Sequence, residues 1–104
     1  MSNDQEWRRY SASEIRDHLA KMKNWKVEKG KLHRDLEFRS FEDALAFMVR
    51  ASLDISKLDH HPEWYNVYNR VRIDLVTHDL GGISGYDFIL AKKLDDAAKI
   101  FQGK

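Results

Sequence analysis

The stretch Phe41-Glu42-Asp43-Ala44-Leu45-Ala46-Phe47-Met48-Val49-Arg50-Ala51-Ser52-Leu53-Asp54-Ile55-Ser56-Lys57-Leu58 decides how this chain is built. Read at the helical period of about 100° per residue, Phe41, Ala44, Leu45, Met48, Ala51 and Ile55 form one apolar stripe. Phe47 and Leu58 widen it on one side, Val49 and Leu53 on the other. The clearly polar sector, Asp43, Arg50, Asp54 and Lys57, is narrow. A helix resting on one sheet face needs little more than a ~100° stripe, so the surplus predicts a second buried contact. Two flanking helices of the same monomer would supply it, and so would another subunit. The chain has only 104 residues, which favours the subunit.

The helix announces its start with Ser40-x-x-Asp43, and the same device recurs as Ser11-x-x-Glu14 and Ser84-x-x-Asp87. A serine hydroxyl there accepts from an early backbone N–H, and an acid three residues on suits the positive end of the helix dipole. These positions predict helices over about 12–22, 41–58 and 85–101, the last stopping near Gly103. Between the first two, Trp25-Lys26-Val27 and Leu32 through Phe38 alternate around Lys29-Gly30, which predicts a hairpin with strands near 24–29 and 31–38. On the second of these strands Leu32, Leu36 and Phe38 share a face with Arg34, while His33, Asp35 and Glu37 take the other. After the middle helix, 64–68 and 71–77 alternate around Asn69-Arg70, a second hairpin. The expected fold is therefore α+β, in the order α-β-β-α-β-β-α. One four-stranded antiparallel sheet would carry the helices on one face, in a single domain over 1–104.

Composition narrows the function. Lys and Arg total 18 against 17 Asp and Glu, so there is no electrostatic footprint for nucleic acid or an anionic membrane. The absence of cysteine excludes disulfides, thiolate zinc sites and a cysteine nucleophile. The polar opening from Met1 to Glu6 has no secretory pattern, and no apolar run approaches the ~20 residues of a membrane span. A cytoplasmic location is expected.

Chemistry concentrates around three of the five histidines. His60 and His61 stand where the middle helix stops, and Pro62 drives His61 out of the helical conformation. His78 ends the later alternating run before Gly81-Gly82. If the second hairpin folds back beside the middle helix, His78 approaches the His60-His61 corner. Such a set suits acid–base catalysis near neutral pH, since imidazole titrates there. It also suits helix capping at His60, or a three-histidine zinc site with water. Adjacent ligands without H-x-x-x-H spacing chelate poorly, so no metal is expected. Asp87 is either a capping acid or a fourth member of the set, and Asp59 either orients a histidine or is solvated. Trp25 and Trp64 offer flat surfaces for a heterocycle or pack in the core. His18 and His33 lie on polar faces and read as solvated.

Lys57-Leu58-Asp59-His60-His61-Pro62-Glu63-Trp64-Tyr65-Asn66-Val67-Tyr68-Asn69, with Thr77-His78-Asp79, Gly82-x-Ser84 and Asp87 after it, resembles the pterin-4a-carbinolamine dehydratases. The resemblance extends to Trp25 and to Phe41-Glu42-x-Ala44-x-x-Phe47-Met48, and covers nearly the whole chain. It implies a hydro-lyase that converts 4a-hydroxytetrahydrobiopterin, the carbinolamine left by aromatic amino-acid hydroxylases, to quinonoid dihydropterin and water. No metal or cofactor is implied. It further implies a homodimer or homotetramer formed through helix 41–58. In animals the family doubles as the dimerization cofactor of a hepatocyte nuclear transcription factor, which leaves a dimerisation or coactivator module as the alternative. The implied catalytic set is His60, His61, His78 and Asp87, with Trp25, Asp59 and Trp64 on the substrate side. One departure stands out: Ser56 occupies a position where the family usually has an acid.

Overall fold

The computed structural model describes residues 5–102 of the chain. Its elements are α1 (Ala12–Leu19), β1 (Lys26–Glu28), β2 (Lys31–Glu37), α2 (Phe41–Leu58), β3 (Glu63–Val67), β4 (Arg70–Leu75), a 3-10 turn at His78–Leu80, and α3 (Gly85–Gln102). The strands form one sheet in the spatial order β1-β2-β4-β3, with every neighbour antiparallel. This is the expected α+β order. Among the described residues no helix is long and apolar enough to cross a membrane.

Local chemistry explains each boundary. Ser11 and Glu14 cap α1 reciprocally, each side chain bonding the other's backbone N–H. The cap of α2 is one-sided, with Ser40 Oγ accepting from the Asp43 N–H. Helix α1 stops at Leu19 rather than near 22, because the chain tightens into successive i→i+3 turns through Met22 and Trp25. Ile15, Leu19 and Met22 still pack on the core. Lys29 and Gly30 both have positive φ, as a two-residue hairpin turn requires, and β1 is trimmed to three residues. The second hairpin turns at Tyr68-Asn69, one residue before the expected Asn69-Arg70. There Tyr68 takes the left-handed conformation, while the Asn66 amide donates to the Tyr68 and Arg70 carbonyls and holds the turn in place. The expected stop of α3 near Gly103 lies outside the described residues.

Period-two alternation sorts the sheet. Leu32, Leu36, Val71, Ile73 and Leu75 are buried on the helix side, against Phe47 and Ile55 of α2 and Leu90 and Leu94 of α3. The alanines Ala44, Ala51, Ala91, Ala97 and Ala98 are buried in the same core. The other sheet face is open and charged. There one expectation is corrected: His33 is 6% exposed, not solvated. Its Nδ1 lies 2.8 Å from Asp74 and its Nε2 3.0 Å from Asp35, with Glu28 at 3.4 Å. The His33↔Asp74 register of β2 and β4 places the carboxylate beside the ring. Burial pulls the His33 pKa down, but hydrogen bonds to Asp74 and Asp35 outweigh it and raise it.

Helix α2 buries Ala44, Phe47, Ala51 and Ile55. It leaves a row one helical turn apart uncovered: Phe41, Leu45, Val49 and Leu53, the last 65% exposed. Among the described residues, no flanking helix of the same chain covers that row.

Candidate active site

The buried carboxylate of Asp87 organises the corner where α2 ends, β4 ends and α3 begins. Asp87 is fully buried, and a buried carboxylate is costly unless hydrogen-bonded. It is bonded from three directions. Oδ1 lies 2.6 Å from His60 Nε2, and Oδ2 accepts from Thr77 Oγ1 at 2.8 Å and from the Ser84 N–H at 2.9 Å. The Thr77 hydroxyl proton points at Asp87, so at 2.7 Å Ser84 Oγ donates to Thr77. Ser84 Oγ in turn accepts from the Tyr86 N–H. The serine–acid spacing read as a helix cap is thus also the frame of a polar network.

Each partner arrives by a different route. Asp59 takes the left-handed conformation and ends α2, so the next residue, His60, turns inward. Thr77 bridges to Gly82 just beyond β4, closing the loop that carries His78. The segment before α1 lies across Gly82–Ser84: Arg9 bridges Ser84 and the Tyr10 N–H donates to the Ile83 carbonyl. It brings Trp7 edge-on to His60 at 6.5 Å and to Tyr86 at 5.0 Å, and Tyr86 meets His60 at 5.9 Å. Gly85 is required there, because a Cβ would stand 2.1 Å from the Glu6 carboxylate and 2.7 Å from the Tyr10 hydroxyl.

His61 and His78 behave differently from His60. Their side chains are 68% and 72% exposed. His61 Nε2 is 3.8 Å from Asp59, beyond hydrogen-bond range. His78 Nε2 is 2.9 Å from Glu63 Oε2, and Lys31 Nζ donates to Glu63 Oε1 at 2.6 Å. Glu63 is held low in pKa chiefly by the Lys31 hydrogen bond, then by His78. His60, the chain neighbour of His61, and Thr77, the chain neighbour of His78, both bond the Asp87 carboxylate.

The remaining expected residues are placed as follows. Trp25 is buried, and its Nε1–H donates to Asp95 at 2.8 Å, where Arg34 also pairs. Asp95 is eight residues beyond Asp87 on α3, about 12 Å along the helix, so Trp25 is not brought to the histidine corner. Trp64 is half-buried on the helix side of β3, edge-on to Phe47 at 6.3 Å. Ser56 and Asp59 are exposed at the end of α2. His18 is exposed, but its ring lies against Tyr10 and Phe88. Thr77, Ser84, Glu63, Trp7 and Tyr86 bond or pack on these residues but were not read from the sequence as site residues, Ser84 having been read only as a helix cap. Among the described residues no group of three or more His, Cys, Asp or Glu side chains is arranged to hold a metal ion.

The residues can hold and move protons: His60 is a buried imidazole fixed on a carboxylate, and His61 and His78 are solvent-facing ones. Comparison with known proteins bears on what it acts upon. Residues 8–97 match the sequence profile of the pterin 4 alpha carbinolamine dehydratase family. A Solibacter usitatus protein named "Putative pterin-4-alpha-carbinolamine dehydratase" is 52% identical over 88 residues, spanning 85% of this chain and 93% of that protein. A Rhizobium meliloti protein of the same name is 42% identical over 90 residues, 85% and 86% of the two chains. The crystal structure of a transcriptional coactivator/pterin dehydratase from Brucella melitensis superposes with a TM-score of 0.83 at 38% identity, covering 86% of this chain and 98% of that one. A pterin dehydratase-like RuBisCO assembly factor of the alpha-carboxysome shares the fold, at TM-score 0.59 and 20% identity over 71% and 86% of the chains.

Proposed function

Because the chain belongs to the pterin 4 alpha carbinolamine dehydratase family, we propose that it dehydrates 4a-hydroxytetrahydrobiopterin to quinonoid dihydropterin in cytoplasmic tetrahydrobiopterin recycling. The observation that carries this reading is the Asp87 carboxylate, which bonds the chain neighbours of both exposed histidines. Water leaves as the C4a–O bond breaks, with a general acid protonating the departing hydroxyl. The adjacent ring nitrogen pushes its lone pair toward C4a, and a general base takes its proton. His61 and His78 share these two roles. His60, pinned by Asp87 and edged by Trp7 and Tyr86, binds or assists on one face of the pterin. Asp87 acts through His60. Asp59 and Trp64 flank the same corner, and Trp25 supports the core. No step requires a metal or cofactor.

The test follows freshly generated 4a-hydroxytetrahydropterin with and without the protein. Acceleration over spontaneous dehydration is expected. No acceleration would favour a second reading, an interaction module. That alternative rests on the uncovered row of α2 and on the coactivator description of the Brucella relative. In either reading α2 joins copies of the chain into a homodimer or homotetramer.

A further inference from the structure

We propose that Glu63, clamped by Lys31, is the positioning residue of His78: it fixes the ring with the proton on Nε2 and presents Nδ1 as the proton acceptor. This rests on the dehydratase reading of the corner.

The geometry is set by the sheet. β3 is an edge strand and Glu63 is its first residue, opposite Asp74 of β4. Trp64 faces the helices, so Glu63 projects onto the open face. Lys31 begins β2, on the far side of β4 from β3, and also projects there. His78 opens the 3-10 turn three residues past β4. The two carboxylate oxygens of Glu63 therefore face two different elements, Oε1 toward Lys31 at 2.6 Å and Oε2 toward His78 Nε2 at 2.9 Å. The ammonium and the imidazole also keep Glu63 ionised. An ionised carboxylate only accepts, so His78 Nε2 must carry the proton. In the neutral ring the lone pair then lies on Nδ1.

The chemistry follows from that tautomer. When Nδ1 takes the proton from the pterin ring nitrogen, the imidazolium formed stays bonded to Glu63, which stabilises the new charge. Among the described residues His61 has no carboxylate within hydrogen-bond range in the same sense, since Asp59 stands 3.8 Å away. The acid role, which delivers a proton to the departing hydroxyl, falls to His61. His60 is pinned at Nε2 by Asp87 in the same manner as His78, but it is buried. Two of the three rings are thus oriented by carboxylates from different elements.

The experiment pairs a spectroscopic readout with kinetics on the full chain. Nitrogen-15 NMR of the His78 ring, assigned through its loss in His78→Gln, should show the Nε2–H tautomer in the wild type. Glu63→Ala should shift that ring to a mixture of tautomers. The same substitution should lower kcat by about 10–10²-fold with KM little changed. It should cost nothing further in a His78→Ala background, and Glu63→Asp should recover part of the loss. An Nδ1–H tautomer in the wild type, a tautomer unmoved by Glu63→Ala, or an undiminished loss in the His78→Ala background would overturn the assignment. Failure of the wild-type protein to accelerate dehydration would sink the dehydratase reading instead, and the NMR comparison would still decide whether Glu63 orients His78.

Discussion

At the scale of single residues, Asp87 is the side chain on which most depends. Its two oxygens bond His60, Thr77 and the Ser84 amide, so replacing it changes several bonds at once. Asp87→Asn keeps the volume but puts an amide N–H2 against groups that are themselves donors. A buried donor facing a donor costs about 1–3 kcal/mol. The expected outcome is a lower melting temperature together with a fall in dehydration rate on the order of 10²-fold. Activity near the wild-type level would remove Asp87 from the site. His61→Ala and His78→Ala should each lose at least ~10²-fold in rate while the fold is kept, since both side chains face solvent. Retained turnover in either, measured in the same assay, would break the acid–base assignment. Trp25 belongs to a different category. Its indole anchors Asp95 and Arg34, so Trp25→Phe should lower stability more than it alters the rate.

At the scale of elements, β1, β2 and β4 are pinned together by His33 on the open face. The ring is packed against Asp74 of β4, Asp35 of β2 and Glu28 of β1, with Lys26, Lys29, Lys31 and Arg72 around it. Its folded pKa is raised above the unfolded value of about 6.5. The stabilisation is therefore complete below about pH 6.5 and is lost as pH rises through the higher folded pKa. Urea unfolding of wild type and His33→Gln should differ more at about pH 5.5 than at about pH 8.5. An equal difference at both would refute the link. His33 also shows where local sequence stops being informative. Alternation put it correctly on the polar face, and the strand, helix and turn residues gave the order of elements. Its burial depends on β2 and β4 being neighbours across the intervening α2, which no local period reports. Glu63 escaped notice for the same reason, because its partners come from β2 and from the turn after β4. Trp7 lies in a segment with no periodicity, and only the pairing of Arg9 with Ser84 brings it to His60. The histidines were legible because imidazoles gathered at element ends are chemically distinctive in sequence. Thr77 was not, because hydroxyls at turns are common, and Ser84 was legible only as a helix cap.

At the scale of the whole molecule, the surplus of apolar residues on α2 is the feature that one copy of the chain does not resolve. Phe41, Leu45, Val49 and Leu53 recur every four residues along one edge of the helix, all at least 41% exposed. Rows of that kind are what a facing helix packs into, and their burial is worth about 25 cal/mol per Å² of apolar surface. A chain of this size gains proportionally more from association than a larger one does, because so much of its surface stays open when it folds alone. The row lies on the side of α2 away from Ala44, Phe47, Ala51 and Ile55, so a partner could cover it without disturbing the monomer's core. It also ends six residues, about 9 Å, before Asp59, so a charge introduced in its middle should spare the geometry of the histidine corner. Val49→Glu should therefore turn a dimer or tetramer into a monomer by light scattering, while circular dichroism stays that of the folded chain. A wild-type protein that is already monomeric at working concentration would leave the row without a partner copy and strip α2 of that role. If association falls and dehydration persists, catalysis belongs to each copy alone. If both fall together, the corner needs the assembly.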